Sequence, residues 1–225
     1  MDDSIAEKIR STLAETPWKV EKLDRISGGN ANFTYRGHLE QSSGDTIFIK
    51  HAEPFAALNQ EYALDASRSE FEWFMLEKLS NKSPTVTRNF EVRTPKTLGS
   101  YGTTKVIEDM PNSVTVKAYL SQYAPSLESD VAKGLGAALG TWLATFHKWL
   151  NGDDAEAKTI RDKLRQNPLI KPRANLYIGS YKECMKPLPQ VQWPDDEEFT
   201  AIEEFVRSMY SNGNEAIHGD FWTGK

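Results

Sequence analysis

The sequence is poor in cysteine: Cys184 stands alone in 225 residues. No internal disulfide can form, and the chain suits a reducing compartment. Positive charge is not in excess either. The 27 Lys+Arg face 32 Asp+Glu for a net charge of −5, which excludes the basic face a nucleic-acid-binding surface needs. Long hydrophobic runs are missing: no stretch approaches the ~20 apolar residues of a membrane-spanning helix. The N-terminal MDDSIAEKIR is acidic and polar, unlike a secretory signal. His38, His51, His147 and His218 are scattered without the spacing of metal ligands, and Cys184 has no nearby His to activate it as a nucleophile. There is no internal repeat and no low-complexity tract. What is present is 11% aromatic residues and six Trp, far from the composition of a disordered chain, in a length that predicts one to two domains of roughly 100–200 residues each. The expectation is a globular cytoplasmic protein with no nucleic-acid or membrane partner, whose oligomeric state has no signal in the composition.

Ile5, Ile9 and Leu13 recur at spacing four within Ser4–Glu15 and predict a short amphipathic helix, ended by Pro17. Three strands are predicted next, at Trp18–Ile26, Asn32–Leu39 and Thr46–His51, joined by the turn-rich SGGNAN and QSSGD. The pattern turns helical after Pro54, most strongly over Ala66–Leu79, and two more strands are predicted at Lys96–Ser100 and Thr103–Glu108 around Tyr101-Gly102. Residues 1–110 therefore read as a small antiparallel sheet with one helix inserted after its third strand. From Val114 the signal is helical. Val131, Leu135, Ala138, Leu139, Trp142, Phe146, Trp149 and Leu150 recur at three and four, which predicts a long helix with one buried stripe. More polar helices are expected over Asp154–Arg165 and Asp196–Ser211, and loops over Asn167–Pro172 and Pro187–Pro194. Strands followed by helices make the fold class α+β, with a lobe boundary at Met110-Pro111 dividing 1–110 from 111–225.

Four segments hold side chains with chemical potential. Ser27-Gly28-Gly29-Asn30-Ala31 lies between two strands, where consecutive glycines let backbone N–H groups approach a phosphate. It is neither a Walker A loop, since no Gly-Lys-Ser/Thr follows, nor a dinucleotide fingerprint, since the next element is a strand; by itself it is also an ordinary hairpin turn. In Thr46–Lys50, alternation puts Ile47 and Ile49 on one face and Phe48 and Lys50 on the other. On the following helix, Phe71, Met75, Leu76 and Leu79 form an apolar stripe that contains Glu72, with Glu70 and Glu77 on the opposite face. A carboxylate on a buried face needs a cation: Arg68, one turn earlier, and Lys50, on the preceding strand, both qualify. Finally, Ile217-His218-Gly219-Asp220 could form a tight turn presenting Asp220, a side chain able to accept a proton from an attacking hydroxyl. His147, at the edge of the long helix's stripe, has the position of a packed, hydrogen-bonded histidine, and Asp195–Glu198 that of a solvated helix start.

The order of these signals resembles the protein-kinase-like fold in its small-molecule branch, the group of aminoglycoside phosphotransferase, choline kinase, methylthioribose kinase and fructosamine kinase. The resemblance covers nearly the whole chain. ISGGNANFTYRG is similar to the group's glycine-containing nucleotide loop and FIKHAEPF to its third strand. That string and Arg68, Glu72 and Leu76 are most similar to methylthioribose kinase. VIEDM resembles the hinge between lobes, LGTWLATFHKWL the long helix before the catalytic loop, and HGDFWTG the catalytic loop itself. The absence of the HRD of protein kinases favours a small-molecule acceptor. The resemblance implies an ATP-dependent phosphotransferase using Mg²⁺, in which Lys50 holds the α- and β-phosphates and is oriented by Glu72. It further implies that Ser27, Gly28, Gly29, Asn30 and Ala31 cover the phosphates. Adenine would lie on Phe48 and bond main-chain groups of Glu108 and Met110, while Asp220 serves as base and His218 supports its loop. The acceptor would be a hydroxyl of a sugar or amino alcohol.

One departure stands out. The group reads His-Gly-Asp-x-x-x-x-Asn, and Lys225 occupies the position of that metal-binding Asn. A cation there repels a metal ion, so no metal ligand is assigned in this chain, and the expectation is a truncated large lobe with impaired transfer. Gly-Lys can be encoded by GGT-AAG, which contains an intron donor, so the coding sequence is expected to continue with Asn. Exposed apolar faces around Trp142 and Trp149 are expected to favour aggregation. Two other function classes compete: a catalytically inactive, pseudokinase-like fragment that binds nucleotide or a partner, and a structural α+β domain without a ligand.

Overall fold

The strict alternation of Thr46-Ile47-Phe48-Ile49-Lys50 is the clearest strand signal in the sequence, and this strand lies at the centre of the sheet. The computed structural model describes residues 2–27, 29–42, 44–87, 89–123, 126–168 and 196–212. Its elements are α1 (Asp2–Leu13), β1 (Val20–Arg25), β2 (Phe33–Leu39), β3 (Thr46–His51), α2 (Arg68–Ser80), β4 (Thr85–Thr87), β5 (Phe90–Val92), β6 (Thr97–Tyr101), β7 (Thr104–Glu108), α3 (Val116–Tyr123), α4 (Ser129–Leu150), α5 (Ala155–Leu164) and α6 (Asp196–Asn212). Five strands form one sheet in the order β1-β2-β3-β7-β6, every neighbouring pair antiparallel. The fold is α+β, with an antiparallel N-terminal sheet, a helix inserted after its third strand, and helices thereafter. Predicted boundaries differ from these by a few residues, because helix and strand ends fray. The β4–β5 hairpin is the element that pattern reading misses: each strand has three residues, too short for a period to register.

The described chain falls into two compact units, one running to Lys148 and one beginning at Trp149. In the first, α1 lays Ile5, Ala6, Ile9 and Leu13 against Phe33, Tyr35, Ile47, Ile49 and Val106 of the sheet. Each fully buried side chain of this size stabilises the fold by about 1.5–3 kcal/mol. Gly37 of β2 is required by this packing. A Cβ there would come within 2.8 Å of Val20 and 2.9 Å of Ile49, so any side chain would force core residues apart. The other sheet face carries Thr46, Phe48 and Lys50, all half-buried. The predicted stripe of α4 is also present: Ala138, Phe146 and Leu150 are buried, and Val131, Leu135, Leu139, Trp142 and Trp149 half-buried. Trp142 stacks on Phe146 at 5.4 Å between ring centroids. His147 departs from the sequence expectation, since its Nε2 is buried with no hydrogen-bond partner among the described residues.

In the second unit, Asp154 caps α5 by accepting from the Ala157 N–H at 2.8 Å, which satisfies one of the orphan donors of the first turn. Arg161 donates to the carbonyls of Leu150 and Gly152. The loop predicted at Pro187–Pro194, most of that at Asn167–Pro172, and Cys184 and Asp195 lie outside the described residues.

A buried polar chain fixes α1 to the end of β3. His51 donates or accepts at both ring nitrogens, 2.8 Å from Thr104 Oγ1 and 2.8 Å from Glu53 Oε1, and Lys8 Nζ of α1 donates to Glu53 at 2.5 Å. Burial lowers the His51 pKa below its ordinary 6.5 against the opposing pull of Glu53. Burial raises Glu53, but Lys8 and His51 outweigh it and hold the carboxyl below its ordinary 4.5. Both folded-state values are depressed. The His51 contribution to stability is therefore complete above pH 6.5 and given up as the pH falls from there through the folded value; that of Glu53 is complete above 4.5 and lost below it. Thermal midpoints measured from pH 8 to 4 are expected to decline in these two steps, and His51→Gln should remove the first. A midpoint that is flat between pH 7 and 5 would contradict this assignment.

Candidate functional site

The turn between β1 and β2 folds tightly back on itself. The Ile26 N–H donates to the Thr34 carbonyl at 2.9 Å, and Thr34 Oγ1 returns a bond to the Ile26 carbonyl at 2.9 Å. At Gly29 a Cβ would lie 2.8 Å from the Asn32 carbonyl oxygen, so the loop closes only on glycine. Its far side is strapped down: the carbonyls of Asn30 and Ala31 accept from the N–H groups of Leu58 and Ala57 at 3.0 and 3.3 Å. Ser27 and Asn30 are exposed, and Gly29 and Ala31 half-buried. Gly28 lies outside the described residues.

Strand register places two lysines side by side on the sheet face away from α1. Thr34 of β2 faces Lys50 of β3, which faces Lys105 of β7. Like charges directly opposite repel, and α2 answers each with its own carboxylate. Lys50 Nζ donates to Glu72 Oε1. Lys105 Nζ donates to Glu70 Oε1 and Ser100 Oγ, both at 2.7 Å, and sits 5.7 Å from the Trp73 ring centroid. The sequence leaves the partner of Glu72 open between Arg68 and Lys50, and the register decides for Lys50. It also places Glu70 opposite Glu72 on the helix, yet the long Lys105 side chain, 5% exposed, reaches Glu70 along the helix flank. Lys50 is the more open of the two lysines, its side chain 29% exposed.

Arg68 does something else. It is buried on α2, together with Ser69, Phe71 and Trp73, so the buried side of this helix includes a guanidinium and a tryptophan that the predicted stripe leaves out. Its Nη1 donates to the carbonyls of Glu53 at 2.8 Å and Asp65 at 3.0 Å. Its Nη2 donates to the Ala31 carbonyl at 2.9 Å and to Asn32 Oδ1 at 3.0 Å. Asn32 in turn donates from Nδ2 to Glu72 Oε2 at 3.2 Å.

At the other end of the sheet the segment Glu108-Asp109-Met110 leaves β7 between two arginine–carboxylate pairs. Asp109, 2% exposed, accepts from Arg36 Nε at 2.6 Å and Nη2 at 3.1 Å and from Thr46 Oγ1 at 2.6 Å. Burial raises its carboxyl, but Arg36 and Thr46 hold it below its ordinary 3.8. Glu108 accepts from Arg93 at 2.6 and 3.0 Å and from the Lys96 N–H at 3.0 Å, with its carboxyl lowered first by Arg93. The Glu108 N–H is used by the Lys96 carbonyl and the Met110 carbonyl by the Ser113 N–H. Phe48 lies on the Lys50 face, opposite Arg36 and Ile107 in register. Met110 borders an apolar cavity of about 340 Å³ lined by Phe90, Val92, Val116, Leu135 and Leu139 among others.

Of the residues singled out by sequence, Lys50 and Glu72 meet, and the Ser27–Ala31 loop is joined to Glu72 through Asn32. Glu108 and Met110 stand together at the end of β7. Asp220, His218 and Lys225 lie outside the described residues. The sequence reading passes over Asn32, Arg36, Lys105 and Asp109. Arg36 could be found by strand alternation with Asp109 as an unmatched acid, but their pairing spans 73 positions and needs the register. Among the described residues, no three His, Cys, Asp or Glu side chains are grouped to hold a metal ion, and no helix among them is long and apolar enough to cross a membrane.

No family model matches the chain. Among curated proteins it is similar to the phosphotransferase FrzJ of Cladobotryum sp, 29% identical over 166 residues that make up 67% of this chain and 43% of that protein. It is also similar to the 4-hydroxytryptamine kinases of Psilocybe cyanescens, 24% identical over 219 residues, and Psilocybe cubensis, 26% identical over 215 residues; each comparison covers 90% of this chain and 56% of the relative. The chain spans about half the length of the curated relatives it matches. Their names are those of phosphotransferases and small-molecule kinases, and the likeness is consistent with a small-molecule kinase family.

Proposed function

We propose that the chain supplies the nucleotide-binding part of an ATP-dependent small-molecule kinase of the aminoglycoside phosphotransferase-like group, with residues 1–110 as the nucleotide-binding lobe and 111–225 as a partial helical lobe. The observation that carries this reading is the partly exposed Lys50–Glu72 pair, joined through Asn32 to a glycine loop. Lys50 donates to phosphate oxygens, where an ammonium offsets charge as a compact, multi-donor cation. Glu72 holds that ammonium in place, so the lysine is pre-positioned before the nucleotide arrives. Backbone N–H groups of Ser27–Ala31 cover the phosphates. Phe48 offers an apolar face to adenine. Main-chain groups of Glu108 and Met110 serve its polar edge. Asp220 takes the proton of the acceptor hydroxyl, with His218 supporting its loop. The acceptor is a small molecule with a free hydroxyl, of sugar or amino-alcohol type; the names of two relatives specify an acceptor that carries an amine as well.

Titration of ATP with and without Mg²⁺ into the parent chain and Lys50→Ala, followed by measurement of phosphate release, tests the reading. ATP is expected to bind the parent, and Lys50→Ala to weaken it at least about tenfold, the loss of one charge-assisted hydrogen bond or more. Equal binding by both proteins would sink the nucleotide reading. Binding without metal-dependent turnover supports the second reading, a pseudokinase-like nucleotide-binding fragment, which the cation at Lys225 favours.

A further inference from the structure

We infer that Asn32 is a positioning residue, a polarity relay through which Arg68 and the glycine loop orient Glu72 toward Lys50. This inference rests on the nucleotide role proposed above for Lys50. The geometry is a chain of four side chains: Arg68 Nη2 to Asn32 Oδ1 at 3.0 Å, Asn32 Nδ2 to Glu72 Oε2 at 3.2 Å, and Glu72 Oε1 to Lys50 Nζ.

The chemistry of the two ends dictates what stands between them. A guanidinium only donates and a carboxylate only accepts. A neutral group bridging them must accept at one end and donate at the other, with a few ångströms between the two atoms. A planar amide does this. The same constraint settles which way the amide faces, because the flipped orientation would put NH₂ against the guanidinium and oxygen against the carboxylate. Arg68 is itself immobilised by the carbonyls of Glu53, Asp65 and Ala31, so it fixes the amide and the amide fixes one oxygen of Glu72. The other oxygen is thereby aimed at Lys50. Asn32 also terminates the glycine loop, and its neighbour Ala31 is bound to the same guanidinium nitrogen. Loop position and lysine position are thus tied through one amide, and a loop displaced from Arg68 releases Glu72.

Asn32→Asp is the discriminating variant. It keeps the shape and strengthens the bond to Arg68, but turns the donor facing Glu72 into a second negative charge. A role in holding the fold would survive this change and a relay would not. Asn32→Gln keeps both polarities. The readout is the reactivity of the Lys50 amine toward a pulse of acetic anhydride in the full chain, measured by mass spectrometry relative to Lys105, whose partners are Glu70 and Ser100.

Asn32→Asp is expected to raise the Lys50/Lys105 labelling ratio about threefold or more without lowering the thermal midpoint, and Asn32→Gln to recover at least half of the difference. An unchanged ratio in Asn32→Asp would overturn the relay, as would acceleration of both lysines together with a lowered midpoint, or equal effects of Asp and Gln. Protection of Lys50 by ATP in the parent chain reports separately on the nucleotide reading. Absence of protection removes that reading while the ratio still judges the relay. Where ATP protects, Asn32→Asp should weaken its binding about tenfold.

Discussion

Arg68→Ala is expected to be the most damaging single substitution on α2, lowering the unfolding free energy by about 3–5 kcal/mol. The guanidinium is 6% exposed and donates to four acceptors on three separate segments: Ala31 and Asn32 in the glycine loop, Glu53 after β3, and Asp65 ahead of α2. Truncation removes this donor from three backbone carbonyls; those of Ala31 and Asp65 keep the N–H groups of Ala57 and residue 68, so the full cost of about 1–3 kcal/mol where water cannot reach falls on the Glu53 carbonyl. Two effects keep the total below the simple sum. The segments are only partly buried, so water enters part of the vacated space. In addition, Arg68 Nε is buried without a partner among the described residues, and its removal relieves that penalty. Against a typical domain stability of about 5–15 kcal/mol, the loss is a large fraction. Urea denaturation should show the midpoint falling with the slope unchanged. Arg68→Lys should recover less than half, because one ammonium cannot span a fork that reaches both sides of the loop. A loss under about 1 kcal/mol for Arg68→Ala would mean that the Glu53 carbonyl and Asn32 are satisfied without the guanidinium and that the clamp is ornamental.

Asp109→Ala is expected to cost about 2–4 kcal/mol. Breaking a buried ion pair by removing one partner generally costs about 3–5 kcal/mol, but Arg36, 34% exposed, regains some hydration, which lowers the figure. Thr46 Oγ1 loses its acceptor at the same time. Asp109→Asn should fall between the two, since an amide can accept from Arg36 but presents NH₂ on its other side. The pair also gives a pH signature. The folded carboxyl lies below 3.8, so its contribution is complete above 3.8 and lost as the pH falls through the folded value. The stability difference between parent and Asp109→Asn should therefore be largest at neutral pH and shrink toward pH 2. Asp109 sits between Glu108 and Met110, so on the nucleotide role proposed above its removal should also weaken ATP binding. A parent and variant with equal acid limbs in thermal melts would show that the Asp109 carboxylate is not held as described.

How much of this is legible in the sequence depends on the range of the interaction. Ile5, Ile9 and Leu13 at spacing four, the alternation of Thr46–Lys50 and the eight-residue stripe of α4 all come through, because each follows from the period of one element facing one apolar surface. Glu72 is identifiable as a carboxylate in need of a cation for the same reason. The β4–β5 hairpin is not legible, being too short to show a period. The buried side of α2 is only half legible: its burial includes Arg68 and Ser69, which no apolar pattern would select, and their burial is tolerated because donors and acceptors from two loops meet them.

The sequence by itself determined the α+β class, the run of elements along the N-terminal sheet, the face of β3 that carries Lys50, and the motif order that resembles a small-molecule kinase. These are local or periodic properties, encoded within a few residues of where they act. Only the tertiary structure decided that Glu72 pairs with Lys50, that Arg68 clamps the glycine loop, that Asn32 joins the two, and that Asp109 is held by Arg36 and Thr46. The physical reason is the same in each case. Charged and amide side chains have several chemically acceptable partners, and choosing among them requires strand register, which brings together residues 22 to 73 positions apart.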